Sequence, residues 1–273
     1  MLKCVNLKQK RQKMLNLKID WENTKAAAFR SNSNSLKAIS DIDFVALNSL
    51  VGIDFQKNAL LKNTENFLAD KGGNYALLWG ERGCGKSSLC KAIFTEFFDK
   101  NLRVIEISKG DLQFLVDILD EIRKIPFKFI IFCDDLSFEN GDDSYKYLKP
   151  MLEGSLEKAP TNALMYATSN RRHLLSEYVK DNQEVSITQD EIHYGDAINE
   201  LISLSDRFGL QLSFYQGNFD DYLQIVDNYF SEFKGDRTAL HESAKQFSML
   251  RASRSGRVAK QFYLAFKSEF CDD

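Results

Sequence analysis

The chain has 273 residues, of which 44% are hydrophobic and 27% are charged, and its formal net charge is −3. This composition is typical of a soluble globular protein with one large domain, with or without a small satellite. No apolar run is long enough to span a bilayer, so we expect no membrane association, and the net charge excludes a surface that is basic throughout. The five cysteines are irregularly spaced, which favours a reducing cytoplasm over a disulfide framework.

Residues 1–45 are predicted to form a basic N-terminal extension. No acidic residue occurs before Asp20, whereas six basic residues do: Lys3, Lys8, Lys10, Arg11, Lys13 and Lys18. Two interpretations stay open, an arm that contacts nucleic acid or an acidic partner, and a solvated terminus. The segment has no apolar centre of the kind found in secretory signals, and Ser31-Asn-Ser-Asn-Ser35 is typical of a polar linker or a turn.

The strongest motif lies in residues 75–99. Ala76–Trp79 is predicted to form a buried strand, and apolar residues recur at helical spacing after Lys86. Between them the sequence fits the phosphate-binding pattern G-x-x-x-x-G-K-[ST]. The residues that we assign to nucleotide binding in this stretch are Gly80, Glu81, Arg82, Gly83, Cys84, Gly85, Lys86, Ser87 and Ser88.

The chemistry of this loop explains its composition. Glycines let the backbone fold closely around an anion, at the positive end of the helix dipole. We therefore expect the loop to bind ATP, with Lys86 at the β- and γ-phosphates and the Ser87 hydroxyl on Mg²⁺. A chance match is the alternative, and the flanking strand and helix argue against it.

Strands and helices alternate up to about residue 216. Further strands are predicted at Arg103–Ile107, Phe127–Cys133, Ala163–Thr168 and Leu210–Phe214, with helices between them. This alternation predicts an α/β domain over residues 46–216, with a parallel sheet and helices on both of its faces. From Asn218 onward apolar residues recur only at helical spacing, so residues 217–273 are predicted to form a small helical domain.

Two acidic residues follow the unbroken apolar strand that ends at Cys133. Because α/β proteins bind ligands at the carboxyl ends of their strands, we assign Asp134 to Mg²⁺ and Asp135 to orienting or deprotonating the attacking water. A pair of solvated strand-end charges is the alternative. After the next strand, Asn170 either hydrogen-bonds that water or the γ-phosphate, or caps the following helix. The neighbouring pair, Arg171-Arg172, either contacts another subunit or a phosphate, or lies in a solvated loop.

Together these motifs resemble the AAA+ ATPases over about residues 45–273. Leu50-Val51-Gly52 is similar to the segment that leads into that module and packs near the adenine. Asn170 matches the sensor-1 position, Arg207 in Ser205-Asp206-Arg207-Phe208-Gly209 matches the arginine-finger box, and Arg257 matches sensor 2. The resemblance implies catalytic roles for these three residues. It also implies a three-layer αβα sandwich with a five-stranded parallel sheet in the order 5-1-4-3-2, a C-terminal helical lid, and a homo-oligomer with active sites at subunit interfaces.

Three longer phrases resemble a bacterial AAA+ family of unassigned role, domain-of-unknown-function eight-one-five. They are Phe132-Cys-Asp-Asp-Leu-Ser-Phe138-Glu139, Tyr166-Ala-Thr-Ser-Asn-Arg-Arg-His173 and Ser203-Leu-Ser-Asp-Arg-Phe-Gly209. In one respect the chain departs from many AAA+ ATPases, which carry glutamate where this chain has Asp135. An Asp-Asp pair is similar to replication initiators and helicase loaders. The shorter side chain implies slow hydrolysis unless Glu139 compensates for it.

Three functions are compatible with these residues. The first is an ATPase that couples hydrolysis to a conformational change acting on an unidentified macromolecular partner. The second is a slow ATP-controlled switch, loader or adaptor that binds protein or nucleic acid. The third is a P-loop kinase for a small molecule, against which Arg207, Arg257 and the helices after the sheet argue.

Overall fold

A seven-stranded sheet forms the centre of the protein. The computed structural model describes residues 15–139, 141–154, 156–174 and 199–271. In chain order the strands are β1 (Ala26–Arg30), β2 (Ser35–Ala38), β3 (Ala76–Gly80), β4 (Leu102–Glu106), β5 (Lys128–Cys133), β6 (Ala163–Ser169) and β7 (Leu210–Phe214). Their order across the sheet is β2-β1-β4-β5-β6-β3-β7. Only β1 and β2 pair antiparallel, and all other neighbours within this described sheet pair parallel.

Helices cover both faces of the sheet. They are α1 (Asp54–Leu68), α2 (Lys86–Phe97), α3 (Leu115–Ile122), α4 (Lys149–Leu152), α5 (residues 199–206), α6 (Phe219–Tyr229), α7 (Arg237–Leu250) and α8 (Gly256–Cys271). The central strands are buried on both faces, and their successive side chains point alternately into two hydrophobic clusters. Ile131 of β5 packs with α3, α4 and α5 on one face, whereas Ile130 and Phe132 pack with α1 and α2 on the other. This double burial explains why the strand has an unbroken apolar sequence.

The count of five strands that we expected is wrong. The predicted strands are β3 to β7, and they follow the order 5-1-4-3-2, but β1 and β2 extend the sheet beyond β4. Both added strands come from residues 26–38, which the sequence assigned to a basic extension. The polar stretch between them is a turn in which Asn34 has a φ of 47°. Strand β1 is short and alanine-rich, so its signal is weak without its partner β4. Residues 1–14, with five of the six basic residues of the predicted arm, lie outside the described residues.

A buried arginine fastens the chain before β1 to the sheet. Arg103 of β4 is 8% exposed, and its Nε donates a hydrogen bond of 2.7 Å to the carbonyl oxygen of Trp21. Its Nη1 donates to the carbonyl of Leu102 at 2.9 Å, and the guanidinium lies 3.9 Å from the ring centroid of Phe127. Trp21 itself is buried and packs edge-on against Phe129. Trp21, with the buried Leu17, therefore belongs to the folded core.

The three C-terminal helices have a hydrophobic cluster of their own. Tyr222 and Val226 of α6, Leu240 of α7, and Val258 and Phe262 of α8 are buried together. Helix α6 begins with a capping box between Asn218 and Asp221, which satisfies the free amides of its first turn. Among the residues that the structure describes, no helix is both long and apolar enough to cross a membrane.

Replacing Arg103 with methionine should lower the free energy of unfolding by about 1–3 kcal/mol, because the buried carbonyl of Trp21 loses its donor. Urea unfolding measures this loss. The matched control is Lys25→Met, which removes a surface ion pair with Asp99 and should change the free energy of unfolding much less. Equal losses in the two variants would contradict the fastening role of Arg103.

Candidate functional site

The carboxyl ends of three neighbouring strands converge on one edge of the sheet. Strand β6 lies between β5 and β3, and all three run parallel. At the end of β3, Gly80 has a φ of 133°, and a Cβ atom there would lie 1.9 Å from the carbonyl oxygen of Phe214. Only glycine fits this close approach to β7. A residue with a side chain at position 80 would therefore not allow the chain to leave β3 in this direction.

Residues 81–85 connect β3 to α2 as a compact loop. Gly83 and Gly85 have φ angles of 80° and 93°, and Gly85 directly precedes the first turn of α2. Positive φ angles at a helix N-terminus let successive backbone amides turn towards a common centre, which is how loops of this type bind anions. The backbone therefore has the form of a phosphate-binding loop.

The side chain of Lys86 points back into this loop. It is 6% exposed, and its Nζ donates to the carbonyl oxygens of Gly80 and Glu81, both at 2.7 Å, and to Oδ1 of Asn170 at 3.1 Å. Burial lowers the pKa of Lys86, while nearby negative groups, among them Asp135, oppose this shift. All three N–H donors of the ammonium group have acceptors, so a bound phosphate would exchange places with some of them.

An oxygen-rich cluster lies beside the lysine. The Ser87 hydroxyl donates to Oδ1 of Asp134 at 2.6 Å, and Nδ2 of Asn170 donates to Oδ1 of Asp135 at 2.7 Å. The Thr168 hydroxyl also donates to Oδ1 of Asp134. Hard oxygen donors of this kind suit Mg²⁺, which usually keeps water and substrate phosphates as its other ligands. The Ser87 hydroxyl and the Asp134 carboxylate are oxygen donors of this kind, and they are in contact. Among the described residues there is no cluster of three or more acidic, histidine or cysteine side chains that could hold a metal ion.

A cavity of about 880 Å³ opens above the loop, a volume that suits a nucleotide-sized ligand. Val51 and Gly52 line it before α1, and the loop and the acidic cluster form its floor. Arg254, just before α8, and Arg257 and Lys260 of α8 add positive charge to the cavity lining. This helix start lies directly over the loop, because a Cβ atom on Gly83 would come within 2.8 Å of Oγ of Ser255.

The structure brings most of the predicted site residues to this cavity. Its lining includes Val51, Gly52, Arg82, Gly83, Cys84, Gly85, Lys86, Ser87, Ser88, Asp134, Asp135, Asn170 and Arg257. Gly80 and Glu81 lie just beneath it and supply carbonyl acceptors to Lys86.

Arg207 lies elsewhere. It follows α5 and precedes β7, and because β7 runs parallel to β3 it stands at the amino edge of the sheet, away from the loop. Its side chain is exposed. The structure also distinguishes Arg171 from Arg172. The Arg171 amide donates to Oγ of Ser169, whereas the Arg172 guanidinium stacks 5.6 Å from the Trp79 ring.

Sequence reasoning missed several residues of the site. Thr168 contacts the acidic cluster and could have been found from its spacing, because residues two apart on a strand share a face and Asn170 was already a candidate. Asp43 and Lys91 form an ion pair of 2.7 Å at the cavity wall. No motif marks that pair, since its two residues are far apart in the chain.

A family profile described as "Protein of unknown function (DUF815)" matches residues 22–270. No curated protein matches the sequence. Among solved structures, the Thermotoga maritima RuvB Holliday junction branch migration motor is 13% identical, with a TM-score of 0.46 over 81% of this chain and 72% of that one.

Two further solved structures are similar at the same level. A chain of the E. coli MS115-1 HORMA:CdnC:Trip13 complex is 15% identical, with a TM-score of 0.48 over 72% of this chain and 73% of that one. DnaI is 17% identical, with a TM-score of 0.45 over 72% of this chain and 97% of that one. Similarities this weak do not identify an activity.

Replacing Lys86 with alanine should weaken binding of a fluorescent ATP analogue more than tenfold, because the loop loses the ammonium group that faces the phosphates. Titration by fluorescence anisotropy measures the affinity. Lys62→Ala is the control, since Lys62 is an exposed residue of α1 and should leave the affinity unchanged. Equal affinities of the wild-type protein and the Lys86→Ala variant would refute the phosphate-binding interpretation.

Proposed function

The chain belongs to the family described as "Protein of unknown function (DUF815)", and we propose that this protein is an AAA+ ATPase. It binds ATP with Mg²⁺ in the cavity above the loop and hydrolyses the bond between the β- and γ-phosphates. Hydrolysis drives a conformational change that acts on a macromolecular partner. The family description itself names no activity.

One observation carries the proposal more than any other. A hydrogen-bonded chain joins Lys86 to Asn170 at 3.1 Å and Asn170 to Asp135 at 2.7 Å, while Ser87 contacts Asp134 at 2.6 Å. The lysine proposed to bind the phosphates, the Ser87–Asp134 pair proposed to hold the metal and the Asp135 carboxylate proposed to activate the water thus lie next to one another. Residues from three different elements would not converge in this way by composition alone.

Each residue has a distinct role in the proposed reaction. The loop amides and Lys86 bind the phosphate oxygens and stabilise the charge that develops on them. Asp135 accepts the proton of the attacking water, and Asn170 holds its carboxylate in place. Arg257 of α8, which lines the cavity beside the loop, contacts the phosphates from the helical side. Ser87 and Asp134 would hold Mg²⁺, which supplies Lewis-acid stabilisation of the phosphates when it is bound.

The C-terminal helices are the moving part in this proposal. Helices α6 to α8 share their own hydrophobic cluster, so they can shift as a unit. Arg254, Arg257 and Lys260 add positive charge to a cavity whose floor carries two aspartates. A polyphosphate would draw the two sides together, and its cleavage would weaken that attraction. This helical lid therefore links the nucleotide state to the shape of the surface around it.

A slow ATP-controlled switch is the second candidate. It is favoured by Asp135, whose backbone has a φ of 55° and whose carboxylate is bound to Asn170. Its side chain is one methylene shorter than the glutamate of many AAA+ ATPases, which places the base farther from the water. In this case the bound ATP, rather than its turnover, governs the binding of protein or nucleic acid.

Replacing Asp135 with asparagine should keep ATP bound and lower the hydrolysis rate by about 10²–10⁴-fold, because it removes the general base and leaves the metal pair intact. Phosphate release and nucleotide affinity are measured on the same protein. Asp134→Ala should instead reduce Mg²⁺-dependent binding and hydrolysis together. If Asp135→Asn hydrolyses ATP at the wild-type rate, the base lies elsewhere, with Glu139 the first residue to test.

Arg207 is proposed to act on the nucleotide of a neighbouring subunit in a homo-oligomer. The Arg207→Ala variant should bind ATP normally and hydrolyse it about 10³–10⁵-fold more slowly, as expected for loss of an arginine finger. Mixing it with Lys86→Ala, which keeps its own Arg207, should restore part of the activity at shared interfaces. Wild-type turnover in Arg207→Ala would refute the role, and an inactive variant that no mixture rescues would refute its action between subunits.

A further inference from the structure

The residue that connects the two aspartates of the site is Thr168. It is the sixth residue of β6 and is 2% exposed. Its hydroxyl donates to Oδ1 of Asp134 and accepts a hydrogen bond of 2.9 Å from the backbone amide of Asp135. Its carbonyl oxygen accepts a further bond of 2.7 Å from the amide of Leu136. One residue of β6 thus holds three consecutive residues that leave β5.

The position of Thr168 follows from the sheet register. Phe132 pairs with Tyr166, and Cys133 pairs with Ala167, so Asp134 comes opposite Thr168. At this point β5 ends and the chain turns away, with Asp135 at a φ of 55°. This left-handed conformation costs most residues other than glycine about 1–2 kcal/mol, and aspartate less, so contacts with the surroundings help to hold it. The hydroxyl and carbonyl of Thr168 provide that hold.

The hydroxyl group has a single hydrogen and two lone pairs. Asp134 takes the hydrogen, because an ionised carboxylate only accepts, and the amide of Asp135 takes a lone pair. The same oxygen atom is therefore the donor in one bond and the acceptor in the other. A side chain without a hydroxyl could replace neither bond, whereas serine could replace both.

We infer that Thr168 is a positioning residue that couples the metal-binding aspartate to the aspartate that activates water. This inference rests on the proposed function, and it assigns a role that the nucleotide-binding motifs leave out. By holding Oδ1 of Asp134, Thr168 aims that carboxylate towards Ser87, which contacts the same oxygen at 2.6 Å. By holding the amide of Asp135, it places that carboxylate within reach of Asn170. Loss of the hydroxyl should disturb both at once.

The test compares Thr168→Val, which has the same shape without the hydroxyl, with Thr168→Ser, which keeps it. Thr64→Val is the matched control, since the Thr64 hydroxyl is also buried and hydrogen-bonded, to the carbonyl of Leu60 and to Tyr166, but touches neither aspartate. Three quantities are measured on the full-length proteins. They are ATP affinity in EDTA, the Mg²⁺ concentration that gives half-maximal ATP binding, and the rate of phosphate release.

For Thr168→Val we expect unchanged affinity for ATP in EDTA, a half-maximal Mg²⁺ concentration about 10–100-fold higher, and a phosphate-release rate lower by a similar factor. Thr168→Ser should recover most of both losses, and Thr64→Val should show neither. The inference is overturned if Thr168→Val has wild-type Mg²⁺ dependence, if serine fails to rescue it, or if Thr64→Val reproduces its losses.

Amide hydrogen exchange in the nucleotide-free proteins separates this inference from the proposed function. In Thr168→Val the amide of Asp135 should exchange at least tenfold faster, because its acceptor is gone, whereas Thr168→Ser should retain protection. Unchanged exchange at Asp135 would overturn the bridging role even if the wild-type protein hydrolyses ATP. Conversely, a wild-type protein that neither binds nor hydrolyses ATP, but loses protection at Asp135 in Thr168→Val, would refute the ATPase proposal and leave the bridge standing.

Discussion

The buried ammonium group of Lys86 is the constraint on which the rest of the site depends. A charge removed from water must find hydrogen-bonding partners, or its burial costs several kcal/mol. Lys86 finds them in the carbonyls of Gly80 and Glu81 and in the side chain of Asn170. These acceptors come from the ends of β3 and β6, so they meet the lysine only because those strands are parallel neighbours. In the proposed function, the sheet order thereby determines where the phosphates bind.

One part of the site is held by the buried sheet, and in the proposed function the other part moves when the nucleotide binds. Strands β3, β5 and β6 are buried on both faces, and their ends carry the loop, the two aspartates and Asn170. The C-terminal segment, whose helices have a separate hydrophobic cluster, also lines the cavity and adds Arg254, Arg257 and Lys260. In the proposed function the charge of the nucleotide joins the two sides. Phosphate binding in this function therefore shifts the C-terminal helices and changes the outer surface that they form.

Local patterns predicted the parts of the structure that rest on local physics. The apolar run before Asp134 marked a strand buried on both faces, and the glycine spacing marked the loop. Strand β1 was missed because its five residues are alanine-rich, and because β4, which joins it to the rest of the sheet, lies more than 70 residues later in the chain. Arg103 was missed for a related reason. An arginine in a strand carries no sign of its partners, which the tertiary fold alone brings to it. The spacing of Thr168 to Asn170 could have placed it at the site, but not its hydrogen bonds to Asp134 and Asp135. The catalytic roles of Arg207 and Arg257 stay predictions, because they depend on a neighbouring subunit and a bound nucleotide.

The central claim is that this site hydrolyses ATP with the help of a metal ion held by Ser87 and Asp134. Phosphate release from ATP by the purified wild-type chain, measured in parallel with Mg²⁺ and with EDTA, tests it most directly. We predict release above the uncatalysed rate in Mg²⁺, rising with protein concentration more steeply than in proportion as subunits assemble, and none in EDTA. Absence of release in Mg²⁺ at every protein concentration, or release that EDTA leaves unchanged, would contradict the claim.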